Sequence, residues 1–312
     1  MLMLIGICAS TLIAVGTSGA GDWPNWRGPH HDGISRETGL LKSWPGDGPK
    51  VLWTVALTGF LLGSSAWADG PPPAGKETIS TGTLRAPSPE ATRGQALDWL
   101  KGVRPMADAT QKEFDALWSE SDRPLLDRVA GTFALGDAQA AKLLTEARDP
   151  ATTAPTTVPA VLKDEKQPAF YRANLALAYA KALSNRRIHE EALDALRLVK
   201  PENVVDPAGY FFVRAVAEHA LLLKNEAFRS IVGVVEDVAD APDRYKIVSL
   251  LMLYDMQTWK DKDLGWIARK MDNIERRLEL ARGGPQTQKM QTEVVRRLDE
   301  IIKELENQKK GS

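Results

Sequence analysis

The sequence predicts an all-α protein, and three observations support this fold class. A set of small and apolar residues recurs at one fixed offset within residues 169–242. The apolar residues of 91–149 follow a helical period. Residues 261–308 carry apolar side chains in alternating steps of three and four, which is the pattern of a coiled coil. The first ~90 residues show none of these patterns and are expected to be largely irregular.

Residues 1–20 have the composition of an export signal. Positions 2–15 are almost entirely apolar but too few to span a bilayer comfortably, and small residues at 18–20 would allow cleavage before Gly21. A basic stretch at the start is missing, so a wrongly assigned start or a short membrane anchor is the alternative. The sequence therefore predicts an exported protein, periplasmic or extracellular, with no membrane span in its mature chain.

Residues 21–57 are rich in tryptophan, proline and glycine. They contain W-P-N-W-R-G-P at 23–29 and G-P-K-V-L-W at 48–53. In these motifs they resemble the opening segment of secreted PQQ-like (quinoprotein-like) β-propeller proteins. A propeller needs about four or more four-stranded blades of roughly 40 to 50 residues each, and no such strand pattern follows. The resemblance therefore implies ancestry by truncation or fusion, without an intact PQQ site.

A second signal-like apolar run covers residues 52–68, where an apolar stretch precedes the triplet Ala66-Trp67-Ala68. A fusion of two secreted proteins explains two leaders in one chain. A buried strand or apolar segment of a single domain is the alternative. Residues 69–90 are rich in Pro, Gly, Ser and Thr and are expected to form a linker.

Residues 91–149 are predicted to form a small helical block. Its helices are expected at 91–101, 108–118, 124–135 and 138–147, with Ser121 or Asp122 as the N-cap of the third. Gly136 is expected to end that helix and Asp137 to cap the next. A second linker follows at 150–168, where a Thr/Ala/Pro stretch precedes a short charged run.

Residues 169–260 are predicted to form helical repeats. Two helix pairs are expected, at 169–185 with 188–199 and at 208–224 with 226–238, and a fifth helix at 244–260. The positions that recur after 35 residues are Ala180 and Ala215, Glu191 and Glu226, Ala192 and Ala227, Leu196 and Ile231, and Val199 and Val234. The same offset takes Ala227 to Lys262, so a third unit is divergent.

These pairs resemble tetratricopeptide (TPR) repeats, which have a small residue in the first helix, Glu-Ala in the second and a proline after it. Pro201 and Pro242 supply the prolines here. The family's glycine between the helices and its early tryptophan are absent, its usual period is one residue shorter, and a generic α-hairpin bundle is the alternative.

The TPR resemblance implies a groove on the inner face of the first helices, which would bind an extended peptide or a C-terminal carboxylate. The residues that it assigns to this groove are Asn174, Leu177, Lys181, Asn185, Phe212 and His219. A solvated helix face is the alternative for these positions.

Residues 261–308 are predicted to form a coiled-coil hairpin around the turn Gly283-Gly284-Pro285. Charged side chains, among them Arg276 and Arg277, are expected on its outside. A cap on the last repeat and possible self-association through 261–308 are equally consistent with the apolar seam. The seam consists of Ile267, Met271, Ile274, Leu278 and Ala281 on one arm and Val294, Leu298, Ile301 and Leu305 on the other.

Charge and composition argue against several classes of function. A net charge of −1 without basic clusters argues against nucleic-acid binding. The one cysteine, Cys8, lies in the leader, so the body has no disulfide or cysteine metal site. His30 and His31 lack a second ligand cluster. His189 lacks a partner histidine one turn on and is expected at an exposed helix start.

The sequence therefore favours a non-enzymatic, exported helical-repeat protein that acts as a scaffold or adaptor for a protein or peptide partner. No catalytic residue, metal ligand or cofactor site is predicted. The alternative is a truncated or fused exported protein related to PQQ-like β-propellers.

Overall fold

The computed structural model describes residues 82–310 of the chain. The predicted export signal, the tryptophan-rich segment and the second signal-like run lie outside the described residues. Residues 82–310 contain helices and a single isolated β-bridge, without a β-strand, so the all-α class is confirmed for this part. The α-helices are α1 Pro89–Val103, α2 Asp108–Ser119, α3 Leu125–Gly136, α4 Ala138–Arg148, α5 Ala160–Lys163, α6 Ala169–Asn185, α7 His189–Leu196, α8 Pro207–Ala220, α9 Lys224–Val232, α10 Asp243–Gln257, α11 Leu264–Glu279 and α12 Pro285–Lys310.

The first four helices lie close to their predicted positions. Asp137 caps α4 as predicted, because its carboxylate accepts a hydrogen bond from Gln139 N at 2.8 Å. One expectation is wrong, because the N-cap of α3 is Pro124 rather than Ser121 or Asp122. Gly136 is the last residue of α3, so the helix ends at this glycine as predicted. A Cβ at Gly136 would lie 2.7 Å from the Trp99 ring, so this glycine allows α1 to pack closely on α3.

Helix α6 is the central helix of the described part. Its sequence, AFYRANLALAYAKALSN, is rich in the strong helix formers alanine and leucine. It packs against α3, α4, α5, α7 and α8, and almost all of its residues from Tyr171 to Leu183 are buried. Trp99 of α1 stacks on Tyr171 with ring centroids 5.0 Å apart. The helical block 91–149 and helices α6, α7 and α8 therefore share one hydrophobic core.

The two predicted helix pairs make their turns in the same way. Arg187 and Leu222, which are 35 positions apart, adopt left-handed φ angles of 60° and 62°. The next amide in each turn donates to a carbonyl five residues earlier, from Ile188 N to Leu183 O at 2.9 Å and from Leu223 N to Glu218 O at 2.8 Å. These are Schellman turns. The turn geometry therefore recurs after the same 35 residues as the sequence pattern.

Helix α9 continues into a π-helical turn, Gly233–Asp237, in which Val238 N donates to Gly233 O. The extended residues that follow pair with the segment before α1. Leu84 N donates to Asp237 O at 3.0 Å, and Ala239 N donates to Leu84 O at 2.9 Å. The Leu84 side chain packs on an apolar cluster formed by Ala208, Phe211, Phe212, Val234, Val238, Ala241 and Tyr245. The end of the predicted linker 69–90 is therefore attached to residues of α8, the π-helical turn and α10.

Helices α11 and α12 pack on each other and form the C-terminal hairpin. Ile267, Ile274 and Val294 are buried at its centre. Other members of the predicted seam are 37–55% exposed, namely Met271, Leu278, Leu298 and Leu305. Arg297 donates to Lys262 O at 2.7 Å, so the residues after Arg297 extend past the start of α11. The hairpin therefore covers only part of its apolar surface.

Candidate functional site

The structure distributes the six predicted groove residues over several environments. Asn174 and Leu177 are fully buried, which corrects the expectation that they line an open groove. The physical reason is that α6 is covered by the helices packed around it and by the segment that precedes α8. Neither side chain is accessible to a ligand.

Asn174 joins α6 to the segment between the two helix pairs. Its Oδ1 accepts a hydrogen bond from Val205 N at 2.7 Å. Its Nδ2 donates to Phe170 O at 2.8 Å and to Asn203 O at 3.4 Å. The amide therefore bonds protein backbone on both sides and has a structural role.

Lys181 and Asn185 line a cleft of about 540 Å³ on α6. We call this space the basic cleft, because four of its side chains are cationic and one is a carboxylate. A cleft of this volume lies within the usual range of ligand sites, roughly 300 to 1,000 Å³. Its lining residues are Arg123, Asp127, Arg148, Pro150, Ala178, Lys181, Ala182, Asn185 and Arg186.

The cations of the basic cleft are held to different degrees. Arg186 follows α6 and donates from Nη1 to Glu146 O at 3.0 Å and from Nη2 to Thr152 O, so it also satisfies a carbonyl at the end of α4. Arg148 lies 4.0 Å from Asp127 in a partly exposed ion pair. Lys181 makes no hydrogen bond or ion pair with any residue of the described range. The Arg186 guanidinium is therefore fixed by backbone carbonyls, whereas the charges of Arg148 and Lys181 remain available to a ligand.

Phe212 and His219 lie at two other places. Phe212 stacks on Tyr245 with ring centroids 4.3 Å apart, within the cluster that receives Leu84. The Nε2 of His219 is 2.8 Å from an Asp255 carboxylate oxygen, to which Trp259 Nε1 also donates at 2.9 Å. Asp255 therefore ties α8 to the end of α10, and neither residue lines the basic cleft.

A buried charge cluster that the sequence analysis did not predict joins α7 to α11. Arg276 binds both carboxylate oxygens of Glu190 at 2.8 Å, and Arg277 binds the same carboxylate. Arg282 donates to Glu191 at 2.8 Å. Arg276 and Arg277 are 3% and 7% exposed, which corrects their expected position outside the hairpin. The sequence signal for this cluster was the pair Glu190 and Glu191 at the start of α7 together with the adjacent Arg276 and Arg277 of α11.

The electrostatics of this cluster favour an ionised Glu190 and a neutral His189. Burial alone would raise the pKa of Glu190, but hydrogen bonding to Arg276 and the charges of Arg276 and Arg277 lower it to about 2. Burial and the positive charge of Arg276 lower the pKa of His189 to about 4. His189 is 6% exposed, contrary to the expected exposed helix start, because it lies beside the docked α11.

No group of three or more His, Cys, Asp or Glu side chains among residues 82–310 is arranged to hold a metal ion. None of the helices described there combines the length and the apolar character that crossing a bilayer requires.

No protein-family model matches the chain, and neither a curated protein nor a solved structure is significantly similar to it. The basic cleft is therefore the candidate site on geometric grounds.

Proposed function

We propose that this protein is an exported helical-repeat scaffold that binds an acidic polypeptide segment of a partner protein in the basic cleft. The observation that carries the proposal is the charge of the cleft, with four cations and one carboxylate around about 540 Å³. TPR-like repeats and export belong to the same proposal. The proposal of TPR-like repeats is supported by the 35-residue period and by the matching turns at Arg187 and Leu222. The proposal of export is supported by the leader-like residues 1–20.

The charge balance suits carboxylates that approach from solvent. Lys181 makes no hydrogen bond or ion pair in the described range and is attracted to the Asp206 carboxylate only at longer range, and the Arg148–Asp127 pair is long and partly exposed, so an incoming carboxylate displaces little. Exposed charges attract one another over roughly 8 to 10 Å at physiological salt. Binding should therefore weaken steeply as salt is added.

The floor of the basic cleft suits a polypeptide. Ala178 and Ala182 have short side chains and belong to successive turns of α6, so a main chain can approach this helix closely. The exposed Asn185 amide offers both a donor and an acceptor for backbone groups. An extended segment with several carboxylates would use both features, whereas a small inorganic anion would use only the charge.

A peptide-binding measurement tests this proposal. The probe is a fluorescein-labelled peptide with four aspartates and a free C-terminus, titrated with the full chain and followed by fluorescence anisotropy. The double variant Arg148→Ala plus Lys181→Ala should bind at least about tenfold more weakly, because tenfold corresponds to only about 1.4 kcal/mol. The same peptide with asparagines in place of aspartates should not bind.

The matched control is Arg197→Ala plus Lys200→Ala, which removes the same charge from two exposed residues that do not line the basic cleft. This variant should change the affinity less than about twofold, because exposed charges outside the cleft are screened by salt. Equal losses in the two double variants would mean nonspecific attraction and would contradict the proposal. A C-terminally amidated probe shows whether side-chain carboxylates or the chain terminus bind.

The export part of the proposal has its own test. The intact mass and N-terminal sequence of the protein from its own host should show a start at Gly21 or Asp69, where the leader-like runs end. An unprocessed Met1 would contradict export through a cleaved signal.

A further inference from the structure

Residues 237–240 bind an extended peptide segment in this structure, which is the chain's own residues 82–86. We call residues 237–240 and the apolar cluster that receives Leu84 the clip site. We propose that the clip site binds an extended segment of the form Gly-x-Leu from a partner protein, in place of the chain's own segment. The clip site shares no residue with the basic cleft, so either proposal can fail alone.

The π-helical turn at Gly233–Asp237 provides the binding edge. It ends in the extended residue Val238, which leaves Asp237 O and Ala239 N free of helical hydrogen bonds. In the bound segment, Leu84 N donates to Asp237 O, and Leu84 O accepts from Ala239 N. This is peptide recognition by backbone pairing at an exposed edge, in which affinity comes from the main chain and specificity from alternate side chains.

Glycine is required two positions before the leucine. A Cβ on Gly82 would lie 2.5 Å from Asp237 O and 2.7 Å from Ala239 N. These are backbone atoms of the site itself, so a larger residue cannot be accommodated by moving a side chain. The close approach therefore restricts the first position of the ligand to glycine.

The remaining positions define the rest of the ligand. Leu84 points into the cluster of Phe212, Val238 and Tyr245, whereas Thr83 and Arg85 are exposed, as alternation along an extended segment requires. Ala86 N donates to Asp240 Oδ2 at 3.1 Å, so proline is excluded at that position. The ligand pattern is therefore Gly-x-Leu-x-y, where y is any residue except proline.

The chain's own segment is held in a way that allows its release. Leu84 is only half-buried and packs on the edge of its cluster. The next element, α1, is anchored by Ala96, Trp99 and Leu100 in the separate central core. Release of residues 82–86 would therefore expose the clip site while α1 stays packed.

Peptide binding by an opened variant tests the clip site. The probe is a fluorescein-labelled peptide with the sequence of residues 80–87, measured by fluorescence anisotropy with the full chain. Leu84→Asp should release the chain's own segment, so this variant should bind the probe at least about tenfold more tightly than the unmodified chain. The unmodified chain should bind the probe weakly, because its tethered segment competes at an effective concentration on the order of millimolar.

Variants of the peptide keep the test specific without altering the protein. Replacing the peptide's glycine by valine, or methylating the amide nitrogen of its leucine, should each weaken binding at least about tenfold. Replacing its first threonine after the glycine by valine should change binding less than about twofold. Equal binding of the glycine and valine peptides, or no binding by the opened variant, would overturn the proposal.

A milder change, Leu84→Ala, covers the case in which the aspartate variant does not fold. Circular dichroism should show helicity equal to that of the unmodified chain for the alanine variant, because the segment contributes no helical residues. Loss of the folded state in both variants would show that residues 82–86 are an integral part of the fold, which would also overturn the proposal.

Discussion

Asn174, His189 and Arg276 show how residues that are distant in sequence determine the role of a polar side chain. Asn174 is fixed by Val205, and His189 is buried beside Arg276 of α11. Each contact joins residues more than 30 positions apart, so local pattern gives no indication of it. Asp137 is the opposite case, because a cap depends on the next few residues and was predicted from them.

The stability of the protein should depend on pH through His189. Its pKa is about 4 in the folded protein and 6.5 for an unperturbed histidine, so below pH 6.5 the unfolded chain takes up a proton that the folded protein does not. This contribution to stability is fully present above pH 6.5 and is lost as the pH falls toward 4. The free energy of unfolding should fall by up to about 3 kcal/mol across this window.

Urea unfolding at several pH values, with the unmodified chain and His189→Gln, measures this effect. The groups that act on His189 are Arg276 from α11, Glu190 on α7 and Arg187 in the preceding turn. The pKa of about 2 for Glu190 means that its own loss of stabilisation begins only below about pH 4.5. The substitution should flatten the dependence between pH 7 and 5. Identical curves for His189→Gln and the unmodified chain would contradict the expectation.

Helix α11 contacts the turns that follow both α6 and α8. Arg276 donates to Arg187 O at 2.9 Å in the first turn, and Asn273 donates to Ala220 O at 3.3 Å beside the second. The heptad pattern predicted α11, α12 and their turn, because these depend on local spacing. The heptad pattern did not predict that α11 packs on α7 and the preceding turn. Arginines are usually exposed and seam residues usually buried, whereas here Arg276 and Arg277 are buried and several seam residues are exposed.

Removal of the Glu190 carboxylate should destabilise the protein strongly. Glu190→Ala leaves Arg276 and Arg277 buried without their main counter-charge, and an unpaired buried charge typically costs about 3 kcal/mol or more. Urea unfolding at pH 7 measures the change. Hydrogen exchange should show the loss first in α11.

Glu279→Ala is the matched control, because Glu279 of α11 forms an exposed ion pair at 3.2 Å with Arg187, which lies in the turn before α7. Its loss should cost less than about 1 kcal/mol. Similar costs for the two substitutions would mean that the buried cluster contributes no more than a surface pair.

At the scale of the whole described part, the first helical block shares one core with α6, α7 and α8, and smaller apolar clusters lie among α8, α9 and α10 and within the C-terminal hairpin. Trp99 and Phe133 of the first block pack on Tyr171 of α6 with ring centroids about 5 Å apart. The sequence predicted the α6 bounds correctly because alanine and leucine favour a helix locally. It could not predict which elements would cover each face of α6, and Asn174 was misplaced because the segment before α8 packs on it.

A fragment of residues 82–167 should not fold by itself. It contains α1 to α5 but lacks α6, which covers the apolar side chains of this block. Circular dichroism should show low helicity and no cooperative thermal transition, whereas the fragment 82–310 should unfold cooperatively. A cooperative transition of the shorter fragment at the same temperature would show that the block has a sufficient core of its own.

The bridge between Leu84 and Val238 has a consequence for the time course of synthesis. The hydrogen bond from Ala86 N to Asp240 joins residues 154 positions apart. A ribosome that adds about 5 to 20 residues per second needs roughly 10 to 30 s to make that length of chain. Residues 82–86 therefore leave the ribosome long before their partner exists, and during that interval they are available to chaperones.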